Sequence, residues 1–127
     1  MIRYKVKVNL GIFSQTEGEN SIDYKILVIN NNEPPGMFLY DKQTIQQKLD
    51  KIFSQFVHAH SESVEKIFCG IENDGEILEI NYICMIPNQV KNKNGVWVSV
   101  FELMAKQSEI NNTYKKMLDN VSNCYTR

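Results

Sequence analysis

Alternation of apolar and polar positions is clearest at the start of the chain. Tyr4, Val6, Val8, Leu10 and Ile12 occupy every second place, with Arg3, Lys5, Lys7, Asn9 and Gly11 between them. A period of two predicts a strand from Tyr4 to Phe13 with one buried face. A polar turn, Gln15 to Asn20, leads to Tyr24-Lys25-Ile26-Leu27-Val28-Ile29, a second and more deeply buried strand, and the two suit a hairpin. The run Asn30 to Gly36, ending Pro34-Pro35-Gly36, breaks the pattern and reads as a loop. Ile45, Leu49, Ile52, Phe53 and Phe56 then fall on one helical stripe, which predicts a helix from about Asp41 or Thr44 to His58. Ser63 to Ile71 and Glu76 to Ile86 read as strands around an Asn73-Asp74-Gly75 turn. The second is apolar at both parities, as expected of a central strand covered on both faces. Past a polar run from Asn88 to Gly95, Val96-Trp97-Val98 predicts one more strand, Phe101 to Lys106 a helical turn, and Asn111 to about Tyr125 a closing helix. This order predicts one α/β (α+β) domain over 1–127, a mixed sheet with flanking helices.

Charge changes the picture little. Fourteen basic and fifteen acidic side chains leave a formal charge of -1, so no global field favours nucleic acid or an anionic membrane. No apolar run reaches the length of a membrane span, and the alternating N-terminus is unlike a signal peptide. Cys69, Cys84 and Cys124 are odd in number and widely spaced; they read as free thiols, suggesting a cytoplasmic setting and neither a disulfide framework nor a zinc site.

Individual residues offer several candidate chemistries, each beside a plainer reading. His58 and His60 stand two apart, which on a strand would share a side and begin a metal site; no third ligand joins them, and an exposed helix end accounts for both. Cys69 and Cys84 lie in apolar strand patterns and read as inert core thiols. Arg3, Lys5 and Lys7 form a basic row that could meet phosphates with Lys25 across a hairpin, or guard an exposed sheet edge. Lys91 and Lys93 add a second small basic segment. Trp97 and Phe101 could stack on a base or simply fill the core.

The element order resembles the Nudix domain, an α/β/α sandwich whose members mostly hydrolyse nucleoside diphosphates linked to another moiety. Gly11-Ile12-Phe13 leading to the strand Tyr24–Ile29 is similar to that family's opening hairpin. Pro35-Gly36 stands where its glycine-led loop precedes the amphipathic helix, and Val96-Trp97-Val98-Ser99-Val100-Phe101-Glu102-Leu103 resembles its late tryptophan strand and "x-x-E-L" turn. The family's motif is the Nudix box, GX5EX7REUXEEXGU with U aliphatic, whose glutamates hold magnesium or manganese beside a pyrophosphate. Hard divalent cations take several oxygen ligands, which carboxylates on one helix face can supply. Counted from Gly36, the first glutamate position falls on Lys42, and the later run falls on Asp50, Lys51, Ile52, Phe53, Ser54 and Gln55. A shift of one residue puts Lys51, Ile52, Gln55 and Phe56 at the charged positions, and Asp50 is the one carboxylate between Asp41 and Glu62.

The resemblance therefore implies a Nudix-like domain without catalytic glutamates, a nucleotide- or protein-binding regulatory domain with no cofactor. Trp97, Phe101, Arg3 and Lys5 are its ligand-binding candidates. One alternative is an active hydrolase with displaced ligands for magnesium or manganese, for which Glu62, Glu65 and Glu102 are the candidates. Another is an unrelated α+β interaction domain, with a homodimer through the first strand as a further expectation.

Overall fold

The computed structural model describes residues 5–17, 22–29, 34–40, 43–86, 93–105 and 115–120. Its six strands are β1 (Lys5–Glu17), β2 (Ile22–Val28), β3 (Gly36–Leu39), β4 (Ile67–Asp74), β5 (Ile77–Ile86) and β6 (Val96–Ser99). They form one mixed sheet in the order β4-β5-β1-β2-β6, with β3 paired to β1. Helix α1 (Ile45–Phe56) covers one face; α2 (Val100–Ala105) and a helical segment at 115–120 cover the other. The closing helix expected from Asn111 to Tyr125 is described only over 115–120.

The hairpin β1–β2 and the central place of β5 agree with the sequence pattern, but β1 departs from it. Val8, Leu10 and Ile12 point toward α1, while Asn9 and Phe13 are equally inaccessible on the opposite face. The middle of β1 lies between two helical layers and has no solvent face there, so Asn9 and Gly11 of its polar row are buried, while Lys5 near its start stays exposed. One edge of β1 pairs in parallel with β5, from Lys5↔Ile77 to Ser14↔Ile86. The other is shared lengthwise by β3 (Val6↔Leu39 to Asn9↔Gly36) and β2 (Phe13↔Ile26 to Glu17↔Ile22). Both edges are occupied, which overturns the expected homodimer through the first strand and the edge-guarding role for Lys5 and Lys7. The register also places Lys25 opposite Ser14, nine residues and roughly 30 Å along the strand from Lys5. Lys25 and Lys5 have opposite parity on the sheet, so they form no joint basic patch.

Two further expectations change. Gly36, read as the end of a loop, opens strand β3 (Gly36–Leu39), which the pattern did not predict. Strand β4 begins at Ile67 instead of Ser63, because Ser61–Ser63 forms a 3-10 turn closed by the Ser63 and Val64 amides on His60 and Ser61 carbonyls.

Helix α1 is bounded by side chains at its start and by a distant loop at its end. The Thr44 hydroxyl accepts from the Gln47 amide (3.1 Å), and the Gln47 side-chain oxygen accepts from the Thr44 amide (3.0 Å), a reciprocal capping box. Leu49, Ile52 and Phe53 seat the helix on Val8, Leu10 and Ile12. At the far end all four terminal carbonyls have partners. Phe53 receives the Val57 amide, Ser54 the Lys93 ammonium (2.8 Å), Gln55 the Asn94 side chain (3.2 Å) and Phe56 the Lys93 amide (2.7 Å). The last three of these carbonyls have no intrahelical donor, and a cation suits the negative end of the helix dipole. The loop reaches them through Gly95, whose φ of 82° and close approach to the Val28 carbonyl leave no room for a Cβ.

Candidate functional site

Once its apolar stripe is seated, α1 turns Gln46, Gln47, Lys51, Ser54 and Gln55 to solvent. Beside this face runs a groove of about 460 Å³ lined by Gln43, Gln47, Lys48, Asp50, Lys51 and Ser54. Three of the positions aligned with the Nudix box, Asp50, Lys51 and Ser54, therefore lie in one concavity. Gln55 is exposed next to them, and Lys42 lies outside the described residues.

Among the described residues Asp50 is the one carboxylate lining the groove, and its Oδ1 is already engaged. It accepts from the Ser61 hydroxyl (2.6 Å), the Gln46 amide (3.1 Å) and the Lys66 ammonium (3.5 Å). The Lys66 side chain is 5% exposed; its ammonium also donates to the Ser61 hydroxyl and carbonyl and stands 5.2 Å over the Phe53 ring. The Ser61 hydrogen bond, with the Lys66 charge, holds the Asp50 carboxyl below its ordinary range although partial burial opposes them. A carboxyl with a lowered folded-state pKa stabilises the fold above its unfolded value of about 3.9, and that contribution fades as pH falls through the folded value. Asp50→Asn is therefore expected to lose stability less steeply on acidification than the parent. Urea midpoints across the acid range test this, and superimposed acid limbs would contradict it.

The other candidates are dispersed. Glu65 is exposed just after the 3-10 turn on the α1 side, and the Glu62 side chain lies outside the described residues. Glu102 is exposed on α2, whose Val100 and Leu103 pack on the opposite face of the sheet. Glu65 and Glu102 are thus carried on different layers. Trp97 is half-buried against the α1-side cluster, next to a second hollow of about 660 Å³ lined by Val28, Ile29, Phe56, Asn94, Gly95 and Val96. Lys5 is exposed on the other face, its amide bonded to the Glu76 carbonyl. Arg3 and the Phe101 side chain are outside the described residues.

His58 and His60 are exposed beyond the end of α1 and lie on no strand. The described residues contain no cluster of three potential metal ligands. Lys93 supplies a cation at the helix end, donating to the Ser54 carbonyl. Burial pushes the Cys84 thiol up to about 12, as expected of an inert core thiol. Cys69 is half-buried, and Cys124 is outside the described residues.

Sequence reasoning passed over Gln43, Gln47, Lys48 and Lys66. Thr44-x-x-Gln47 carried a readable signal, the capping-box pattern; buried lysines follow from no local pattern.

No family model matches the sequence, and no curated protein matches it. Among solved structures, a mutT/nudix family protein from Listeria innocua superposes with a TM-score of 0.74 at 12% identity, covering 99% of this chain and 96% of that one. The NUDIX domain of Shewanella oneidensis NrtR, complexed with ADP ribose, gives 0.68 at 10% identity over 97% and 89%. A C. elegans Ap4A hydrolase gives 0.57 at 10% identity over 92% and 96%. The similarity spans each protein nearly end to end at identities that speak for architecture alone, and the fold of this chain is Nudix-like.

Proposed function

We propose that this is a Nudix-like domain that binds a nucleotide-type ligand without hydrolysing it. The observation that carries the reading is the donor set of the α1 groove. A pyrophosphohydrolase of this fold needs divalent metal held by several carboxylate oxygens. Here the described lining offers ammonium, carboxamide and hydroxyl groups and a single carboxylate, Asp50, whose Oδ1 is taken by Ser61, Gln46 and Lys66. Among the described residues such a set does not fit magnesium or manganese. The ADP-ribose complex of the Shewanella domain supports a nucleotide ligand, since it is bound on a scaffold covering nearly all of this chain.

With magnesium or manganese, purified protein is expected to leave ADP-ribose and dinucleoside polyphosphates intact, while calorimetry in EDTA detects binding of at least one of them. Turnover at an ordinary enzymatic rate, about 1 s⁻¹ or more, would overturn the reading.

A further inference from the structure

The same groove carries a sharper statement, which rests on the reading above. We infer that it is a metal-independent oxyanion site for a diphosphate group, with Lys48 as its principal cation. Lys48, on α1, is 5% exposed. Among the described residues its ammonium meets the Tyr40 ring, 5.5 Å from the centroid, and no carboxylate lies within ion-pairing distance. No described anion offsets this charge, and a cation so far removed from water is costly unless something else supplies one. It lines the groove beside a second cation, Lys51.

The two glutamines complete a field of donors. The side-chain oxygen of Gln47 is occupied by the Thr44 amide, and that of Gln43 by the Tyr40 amide (3.1 Å). Each carboxamide is thereby oriented with its oxygen spent and its NH2 group left over; neither NH2 donates elsewhere among the described residues. Ser54 adds a hydroxyl. Asp50, which would repel an anion, is compensated by the adjoining Lys66. Two ammonium groups, two oriented NH2 groups and a hydroxyl suit the oxygens of a diphosphate, which needs no bridging metal here. The groove's size suits a compact diphosphate better than a length of polynucleotide.

The test is calorimetric titration of the full chain with sodium pyrophosphate in EDTA, repeated with ADP, ADP-ribose and a single-stranded RNA oligonucleotide. Pyrophosphate is expected to bind without metal, to weaken with rising salt and to compete with ADP. Lys48→Met, which keeps the apolar stem, is expected to weaken binding at least tenfold, and Lys48→Arg to recover it to within about threefold. Lys51→Gln, at an exposed position, should weaken it about threefold without altering the thermal midpoint. Binding that requires magnesium, or is unchanged in both Lys48→Met and Lys51→Gln, overturns the inference, as does RNA binding that pyrophosphate does not displace. If ADP-ribose binds but neither responds to Lys48→Met nor yields to pyrophosphate, the oxyanion site fails while nucleotide binding stands. If pyrophosphate binds through Lys48 and no nucleotide does, the oxyanion site stands and the nucleotide reading fails.

Discussion

Phe53→Ala is expected to reduce the unfolding free energy by about 3–5 kcal/mol. The ring is completely inaccessible and belongs to the cluster that joins α1 to Val8, Leu10 and Ile12 of the central strand. Truncation removes a large apolar surface and leaves a void that a rigid sheet cannot fill. The ring is also the platform beneath the Lys66 ammonium, an interaction worth about 1 kcal/mol or more when shielded from water. Phe53→Leu should recover most of the packing but none of the cation–π contact. Urea unfolding of the two variants separates these parts, and a loss below about 1 kcal/mol for alanine would show that α1 is not seated as described.

Gly36→Ala should be strongly damaging for a single added methyl group, with a loss of about 3 kcal/mol and a thermal midpoint lower by about 10 °C. A Cβ at this position falls onto the Asn9 side-chain oxygen and stands 2.9 Å from the Lys7 side chain and 3.2 Å from the Val8 carbonyl. Lysine can yield, but the Asn9 amide is fixed by hydrogen bonds to Asn81 (2.9 Å) and Glu79 (3.2 Å) in a fully buried place. Moving it sacrifices those bonds. Combined with Asn9→Ala, the Gly36→Ala change should cost much less than alone, and strict additivity of the two would refute the proposed contact. This close approach explains the glycine whether or not a Nudix box begins there. Agreement at Gly36 is therefore weak support for that register.

The elements legible in the sequence were those whose burial follows a simple period. The stripe Ile45, Leu49, Ile52, Phe53 and Phe56 located α1, and Val96-Trp97-Val98 located β6. Strand β3 was missed because four residues after a double proline carry too short a pattern to read. The polar appearance of Asn9 and Gly11 concealed a strand buried on both faces, since which row is covered depends on layers contributed by residues far along the chain. The resemblance anticipated the architecture, and the positions aligned with the box fall on the helix beside the proposed groove. The groove itself was not legible: Gln43, Gln47 and Lys48 look like an ordinary solvated helix face until capping bonds and burial distinguish them. Lys66 was invisible for a related reason, because its partners Asp50 and Ser61 are brought to it by the turn after α1.

The Asn9–Asn81 pair has a consequence for how the chain finds this arrangement. β1 and β5 are about seventy residues apart in sequence and pair in parallel, a junction reached late in folding because a long loop must close first. Both strands contain runs of similar aliphatic residues, which by themselves tolerate sliding. In the native register the Asn9 NH2 group donates to the Asn81 oxygen, while the Asn9 oxygen and the Asn81 NH2 group have no partner among the described residues. A slip of one place would turn Asn9 into the α1-side core and break that bond as well. The pair acts as an alignment pin: it discards mispaired encounters between two greasy strands, so the native register is selected by the cost of its alternatives.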